Sequence, residues 1–449
     1  MNEINKGIKL LSKIKNFLTE FKELYLNRKM LVIGAIGYGS GIPFTLVFIT
    51  YTFRLAESGI NLRDIGLFGL AGLPFTIKFV WSPLVDGMRI PILYKLVGQR
   101  RSWLVLSQIF LIGIICKFGF LNPQTDLRTI VYYAIALAFV SATYDIAYDA
   151  IRVEMLEADR QGAGAGMAIM GYRIGMLMSG GISLIVADVY SWKTAFFFIG
   201  TTLLISTIAT LFAKEPTKHI VEQDGKTHWL EWCKTFMVKP FLSFIQQHKN
   251  WVVVILFAVL YKLGDAMLGK MANPFYQQMG FTKTEVAEIT KFYGFGMTII
   301  GSIIGGWAVY KFGLMKTLLY FGILQMLSNL TFVWQAHMGH NTLALTAVIT
   351  IENIASAMGT AAFTAYLSSL CNVRFTATQY ALLTSFMSLG RWLTNAPSGY
   401  MVDKVNGLGL SWETYFTVST LLAIPGLLLI RYLNCPDIKK IKVMQSAES

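Results

Sequence analysis

Residues 141–177 read SATYDIAYDAIRVEMLEADRQGAGAGMAIMGYRIGML, and the placement of charge in this stretch decides the fold. Asp145 and Asp149 stand one helical turn apart inside an otherwise apolar segment, and Arg152 follows three residues later on the same face. A short loop with Glu154, Glu157, Asp159 and Arg160 then leads into a glycine-rich helix that carries Arg173. Charges exposed to hydrocarbon are costly, so these groups must face a protein interior or a water-filled cavity.

The surroundings of this stretch are as apolar as its core. Of 449 residues, 54% are hydrophobic and 14% charged, against about 25% charged in a soluble globular chain. Apolar stretches of about 20 residues recur often enough for roughly twelve spanning helices. A closed barrel, the other spanning solution, needs segments of alternating polarity, and these are absent. The expected class is therefore an all-α polytopic membrane protein. The helices are expected near 30–52, 62–85, 102–121, 129–152, 163–188, 192–212, 251–277, 285–310, 314–335, 343–370, 376–401 and 413–433.

The net charge of +14 suggests nucleic acid until its distribution is considered. With these boundaries about 26 Lys and Arg residues fall on the side of the N-terminus and about six on the other, the pattern of a chain with both termini in the cytoplasm. Seven more lie within helices: Lys78, Lys117, Arg173, Lys262, Lys270, Lys291 and Arg391. Nucleic acid is not an expected partner; a lipid bilayer is. The four cysteines (Cys116, Cys233, Cys371, Cys435) show no metal spacing and no extracytoplasmic pair. The five histidines (His219, His228, His248, His337, His340) map to loops, which argues against intramembrane metal, haem or histidine catalysis. No cofactor and no enzymatic activity are expected.

The expected organisation is a cytoplasmic amphipathic segment (1–29), a six-helix bundle (30–212), a cytoplasmic linker (213–250), a second six-helix bundle (251–433) and a tail (434–449). Ile8, Leu11, Ile14, Leu18, Phe21 and Tyr25 supply the apolar stripe of the first segment. The two bundles echo one another. SGINLRDIG (58–66) returns as MGFTKTEVAEI (279–289), SWKTAFF (191–197) as SWETYF (411–416), and Arg173 as Arg391, all at offsets of about 220 residues. This is the six-plus-six duplication of major-facilitator transporters, two pseudo-symmetric halves that rock about a central site.

Several positions are candidates for chemistry. Asp145 and Asp149 form a pair suited to taking up and releasing a proton; the competing reading, weighed equally for Asp149, is an ion network with Arg152 and Arg173. Arg173 and Arg391 suit an anionic substrate group, or pair with Asp145, Asp149 or Glu352, the reading favoured for Arg391. Lys262 and Asp265, three residues apart, can neutralise each other. Glu352 is read as the rough counterpart of Asp145 and a second proton site, and Lys270 and Lys291 as residues that snorkel outward. WSPLVDGMRIPILYKLVGQRRSW (81–103) reads as a cytoplasmic gate in which Asp86, Arg100 and Arg101 latch the halves, with Arg152 nearby; the alternative is ordinary positive-inside anchoring. The second half has Tyr310 where the aspartate belongs, so the latch is expected to be asymmetric. GAGAGMAIMG (162–171) lacks the strand of a dinucleotide loop and reads as close helix contact. GYGSGIP (37–43) reads as a bend in the first helix.

In GYGSGIPFTL, TIKFVWSPLVD, QRRSWL, the 141–181 stretch and SLGRWLTNAPSGYMVDK, the chain resembles the AmpG muropeptide permease family of bacterial facilitators. The resemblance covers about 30–430, and its most specific piece is the D-x-x-x-D-A run followed by GAGA and GYR. It implies proton-driven import of GlcNAc-anhydro-MurNAc peptides across the inner membrane, with Asp145 and Asp149 as the family's acidic pair and Arg173 as its helix 5 arginine. The family often has glutamine where Tyr144 stands; Tyr144 is counted here with the cavity, beside Tyr148 and Tyr172, as a residue that stacks on a sugar or packs the core. The alternative substrate is another bulky anionic metabolite, such as an acyl-CoA or nucleotide-like solute. A membrane-embedded transferase and a sensor that no longer transports are the rivals from other classes. The expected partners are a small glycopeptide and protons, and the expected state is a monomer.

Overall fold

The computed structural model describes residues 19–61, 69–216 and 234–433, together with Lys15, Asp64 and Glu231. Most of the expected amphipathic segment, the centre of the linker, the tail, Cys233, Cys435, His219 and His228 lie outside the described residues. Twelve long helical segments stand among those described. They are α1 (Arg28–Glu57), α2 (69–87), α3 (Gln99–Phe118), α4 (Leu127–Met155), α5 (Ala158–Val189), α6 (Trp192–Phe212), α7 (Trp251–Gln278), α8 (Lys283–Phe312), α9 (Leu314–Met338), α10 (Thr342–Ser369), α11 (Thr376–Val402) and α12 (Trp412–Tyr432). Ten are long and apolar enough to cross a membrane, the exceptions being α2 and α11.

The boundaries depart from expectation where proline and charge intervene. α2 is broken into short pieces that restart at Leu73 and Ser82, each with a proline (Pro74, Pro83) in its first turn. Proline lacks the N–H that would continue the preceding helix and suits a new first turn instead. α5 begins at Ala158, because a 3-10 turn over Ala158–Arg160 runs straight into it. α9 reaches Met338, which places His337 in its last turn rather than in a loop. α1 stays α-helical through 37–43, where a bend was expected, and widens only after Pro43, in a turn over Leu46–Tyr51.

The duplication is visible as repeated caps. Asn61 accepts a hydrogen bond from the Asp64 amide (2.9 Å), and Thr282 one from the Glu285 amide (3.2 Å). Ser191 caps α6 through Thr194 and Ser411 caps α12 through Thr414. Trp192 Nε1 donates to Glu57 (2.7 Å), and Trp412 Nε1 to Gln278 (2.9 Å), tying the first turn of α6 to the end of α1 and that of α12 to the end of α7. Thr282 and Glu285 complete a capping box. Thr282→Ala is expected to cost about 1 kcal/mol locally, read as faster amide exchange over residues 283–285 with the other helix ends unchanged.

Small residues let the helices approach backbone to backbone. A Cβ on Gly171 would collide with the Gly34 carbonyl of α1, and one on Gly166 with the Ser302 carbonyl of α8 (2.5 Å). The glycine-rich stretch thus serves helix contact within the first half and across to the second, as its composition suggested. The end of the bundle that carries the linker is called the linker face here. Basic residues there hold helix C-termini: Arg28 donates to Phe212 O, Lys29 to Met155 O, and Arg101 to Thr210 O and Leu211 O.

Candidate functional site

The two halves enclose a cavity of about 670 Å³. Its walls come from α1, α2, α4 and α5 on one side and α7, α10 and α11 on the other. Six cations line it (Lys78, Arg152, Arg173, Lys262, Lys270 and Arg391) against three carboxylates (Asp145, Asp149 and Asp265). That imbalance suits a solute carrying negative charge.

Asp149 sits between two cations, with Lys78 Nζ at 3.8 Å and Arg152 Nη2 at 3.7 Å. Asp145, one turn away, accepts a hydrogen bond from Ser40 Oγ at 2.5 Å and forms no ion pair among the described residues. Asp149 therefore has the cationic neighbours of the ion-network reading, with Lys78 in place of Arg173, while Asp145 is held by a neutral partner. Lys78 was placed within a helix from the sequence but given no role at the site, although a lone lysine inside LPFTIKFVW was a usable signal.

Arg173 and Arg391 both line the cavity, and neither makes an ion pair among the described residues. The pairing favoured for Arg391 is thereby corrected, and for Arg173, whose two readings stood open, no ion pair with Asp145 or Asp149 forms: α5 and α11 bring both guanidinium groups to the cavity wall. Lys262 and Asp265 do neutralise each other, at 3.1 Å, and Lys262 is further bound to Gln325 Oε1 (2.5 Å) and Ser356 O (3.2 Å). α7 breaks at Tyr261 and Lys262, and this break turns the ammonium inward. Lys270 is exposed but lines the cavity rather than leaving it.

Two sequence expectations fail, the first on register. α4 and α10 begin at Leu127 and Thr342, so the counterpart of Asp145 is Thr360, and Glu352 falls opposite Leu137, nearer the other face. Glu352 does not line the cavity, although it stands within electrostatic reach of Asp265, Lys262 and Arg173. Tyr144 is fully buried inside the first half; its hydroxyl donates to Ile36 O (2.7 Å) and meets Ser206 Oγ (2.7 Å). It packs the core and does not reach the cavity, whereas Tyr148 and Tyr172 do.

The linker face is closed by a charge cluster. Arg100, fully buried, places Nη2 at 2.7 Å from Asp86 Oδ1 and 2.6 Å from Glu154 Oε1. Asp86 also accepts from the Thr378 amide (2.8 Å), the Thr378 hydroxyl (2.7 Å) and the Ala377 amide (3.3 Å). One carboxylate thus joins α2 to the free N–H groups and positive dipole end of α11 in the other half. Glu154 and Thr378 were not foreseen as members. The Arg101 side chain does not join this cluster; it binds the end of α6. Glu215 accepts from the Arg100 and Arg101 amides (2.7 and 3.2 Å) and so caps α3; burial pushes its carboxyl above the usual range and those amides oppose the shift. On the same side Arg152 reaches Ser368 Oγ of the other half (3.2 Å), and the segment before α1 is tied to α8 through Tyr25 hydroxyl to Ile303 O (2.6 Å) and Glu20 to Lys311 (2.9 Å). Tyr310 and Lys311 stand in the last turn of α8, where Lys311 pairs with Glu20.

The model of the Major Facilitator Superfamily matches residues 30–394. The putative transporter AmpG 4 of Rickettsia felis is 37% identical over 425 residues, covering 94% of this chain and 99% of its own length. The anhydromuropeptide permease of Escherichia coli K12 is 35% identical over 414 residues, covering 92% of this chain and 81% of its own. Among solved structures, the human organic anion transporter MFSD10 superposes with a TM-score of 0.65 at 12% identity, over 90% of this chain and 99% of that one. The proton:xylose symporter XylE does so with 0.64 at 12% identity, over 89% and 94%. Likeness at that identity speaks for the fold alone. Two six-helix halves around a charged cavity, the superfamily match and the permease relatives together make the chain a member of the major facilitator superfamily, of the AmpG-like kind, and a multi-pass membrane transporter rather than an enzyme.

Proposed function

We propose that the chain imports cell-wall muropeptides, GlcNAc-anhydro-MurNAc peptides, across the bacterial inner membrane together with protons, by alternating access of its halves. The observation that carries this reading is a cavity between the halves in which Asp145 and Asp149 face an excess of cations. Its volume falls within the range of about 300–1,000 Å³ that holds drug-sized ligands. With both termini and the linker in the cytoplasm, as the basic residues favour, the latch shuts the cytoplasmic side and the cavity faces the periplasm, ready to receive solute. The chain acts as a monomer in this scheme, since each half supplies walls to one cavity.

Proton uptake at Asp145 needs no ion pair to break, because Ser40 is its partner. Protonation removes one negative charge from the cavity as the anionic solute brings its own, which keeps the occluded state close to its resting charge. The cation excess equally suits another bulky anionic metabolite, and that is the second reading.

The test is uptake of labelled GlcNAc-anhydro-MurNAc-tripeptide into vesicles under an imposed proton gradient. Asp145→Asn and Asp149→Asn are each expected to lower the initial rate at least tenfold. Solute exchange without a gradient is expected to persist in Asp145→Asn. Undiminished, gradient-dependent uptake by both variants would sink the proposal, and transport of nucleotide or acyl-CoA solutes in place of the muropeptide would favour the second reading.

A further inference from the structure

We infer that the floor of the cavity is a carboxylate-binding subsite built by Arg152 and Lys78, and that Asp149 occupies it in place of the solute's own carboxylate. The inference rests on the transport reading only in taking this cavity as the solute's path. Arg152 is fully buried, with Nη2 near Ser368 Oγ and the guanidinium 5.3 Å from the centre of the Tyr380 ring. Its Nε and Nη1 have no hydrogen-bond partner, so three of the five N–H donors of a buried cation are unused. Buried donors are nearly always satisfied, and guanidinium is the group that grips a carboxylate through two parallel bonds. Lys78, 7% exposed, completes the site from α2.

Asp149 balances these charges without filling the donors. At 3.7 and 3.8 Å its oxygens lie beyond hydrogen-bond reach of both cations. A carboxylate already seated here at slack distances marks the place for a second carboxylate that fits better. Exchange conserves charge. Asp149 takes a proton from the aqueous cavity and becomes neutral, and the solute carboxylate pairs with Arg152 and Lys78. On departure of the solute, Asp149 returns the proton and resumes its position. The titratable and charged groups around Asp149 are Lys78 from α2, Asp145, Tyr148 and Arg152 from its own helix, Tyr380 from α11 and Cys371 beyond α10. Arg152 and Lys78 are the cations nearest to it. The inward proton and the inward anion are thus coupled by competition for one pair of cations.

The test uses the purified full-length chain and two small probes, N-acetyl-Ala-Ala and its C-terminal amide, with binding read as thermal stabilisation across a concentration series. The carboxylate form is expected to stabilise the native chain and the amide form not to. Arg152→Gln is expected to abolish that preference, and Asp149→Asn to bind the carboxylate at least tenfold more tightly because the internal competitor is gone. Where Arg152→Gln does not fold, Lys78→Gln, with at least threefold weaker carboxylate binding, takes its place. A preference retained in Arg152→Gln, unchanged binding in Asp149→Asn or Lys78→Gln, or equal Arg152-dependent stabilisation by inorganic phosphate would overturn the assignment. A chain that shows the Arg152-dependent carboxylate signal but takes up no muropeptide keeps this subsite and loses the proposed substrate. A chain that takes up muropeptide with no such signal loses the subsite alone.

Discussion

Replacing Arg100 by alanine is expected to open the linker face. The guanidinium is fully buried between Asp86 and Glu154, at 2.7 and 2.6 Å, and Nη1 also donates to Val85 O. Its removal leaves two carboxylates facing each other in a dry site, and breaking a buried pair from one side costs roughly 3–5 kcal/mol. The carboxylates recover their hydration only when the halves part at this end, so the cost falls on the closed conformation and not equally on all folded states. About 3 kcal/mol corresponds to a shift of about a hundredfold in the closed-to-open ratio. The measurement is maleimide labelling of Ala381→Cys in a background without other cysteines, since Ala381 of α11 is buried against the core of the first half. Labelling from the linker side is expected to rise steeply with Arg100→Ala and to stay at its native level with Arg101→Ala, whose side chain only caps α6. Native-like protection in Arg100→Ala would show that the contacts of Asp86 with α11 suffice to hold the face shut.

Gly171→Val is expected to prevent assembly of the first half altogether. A Cβ at this position would run into the Gly34 carbonyl and stand 3.0 Å from the Tyr38 amide. Both obstacles are backbone atoms of α1 and cannot rotate away as a side chain would. Overpacking in an adaptable core costs typically 1–3 kcal/mol, and α1 and α5 have less freedom to adapt, because Gly41 and Gly175 also meet the facing backbone farther along the same pair of helices. The control is Gly113→Val on α3, where a Cβ meets nothing within 4 Å. Size-exclusion profiles of the detergent-extracted chains are expected to show a monodisperse peak for Gly113→Val and aggregate or no protein for Gly171→Val. A folded Gly171→Val with a native melting temperature would mean that the close α1–α5 approach is dispensable.

The parts of the candidate site that were legible in the sequence share one property. Asp145, Asp149, Arg173, Lys262, Asp265 and Arg391 are ionisable groups in apolar segments, and all six line the cavity. The cost of burying charge forces such residues toward an aqueous interior, so helix location alone announces them. Lys78 obeys the same rule and was legible in principle. Tyr144 and Glu352 were misplaced for different reasons. An aromatic residue carries no such penalty, so nothing in YDIAYD distinguishes the tyrosine that reaches the cavity from the one that reaches Ser206. The placement of Glu352 depended on the register between α4 and α10, which repeated motifs on other helices do not fix.

Sequence alone determined what local composition and periodicity govern: the spanning helices, the order of the halves and the glycine faces on which helices meet. The repeated caps at Asn61 and Thr282, and at Ser191 and Ser411, are short-range hydrogen bonds, and their spacing survives in the chain as text. Only the tertiary structure decided which charges meet. Asp86 and Thr378, or Lys78 and Asp149, are far apart along the chain, and their pairing is set by how helices rotate and slide when glycine contacts and the α2 break bring them together. It also decided that Arg101 caps a helix while its neighbour Arg100 holds Asp86, the carboxylate that reaches across to α11. One residue turns a helical side chain by about 100°, and which of the two directions is buried is a property of the packed bundle.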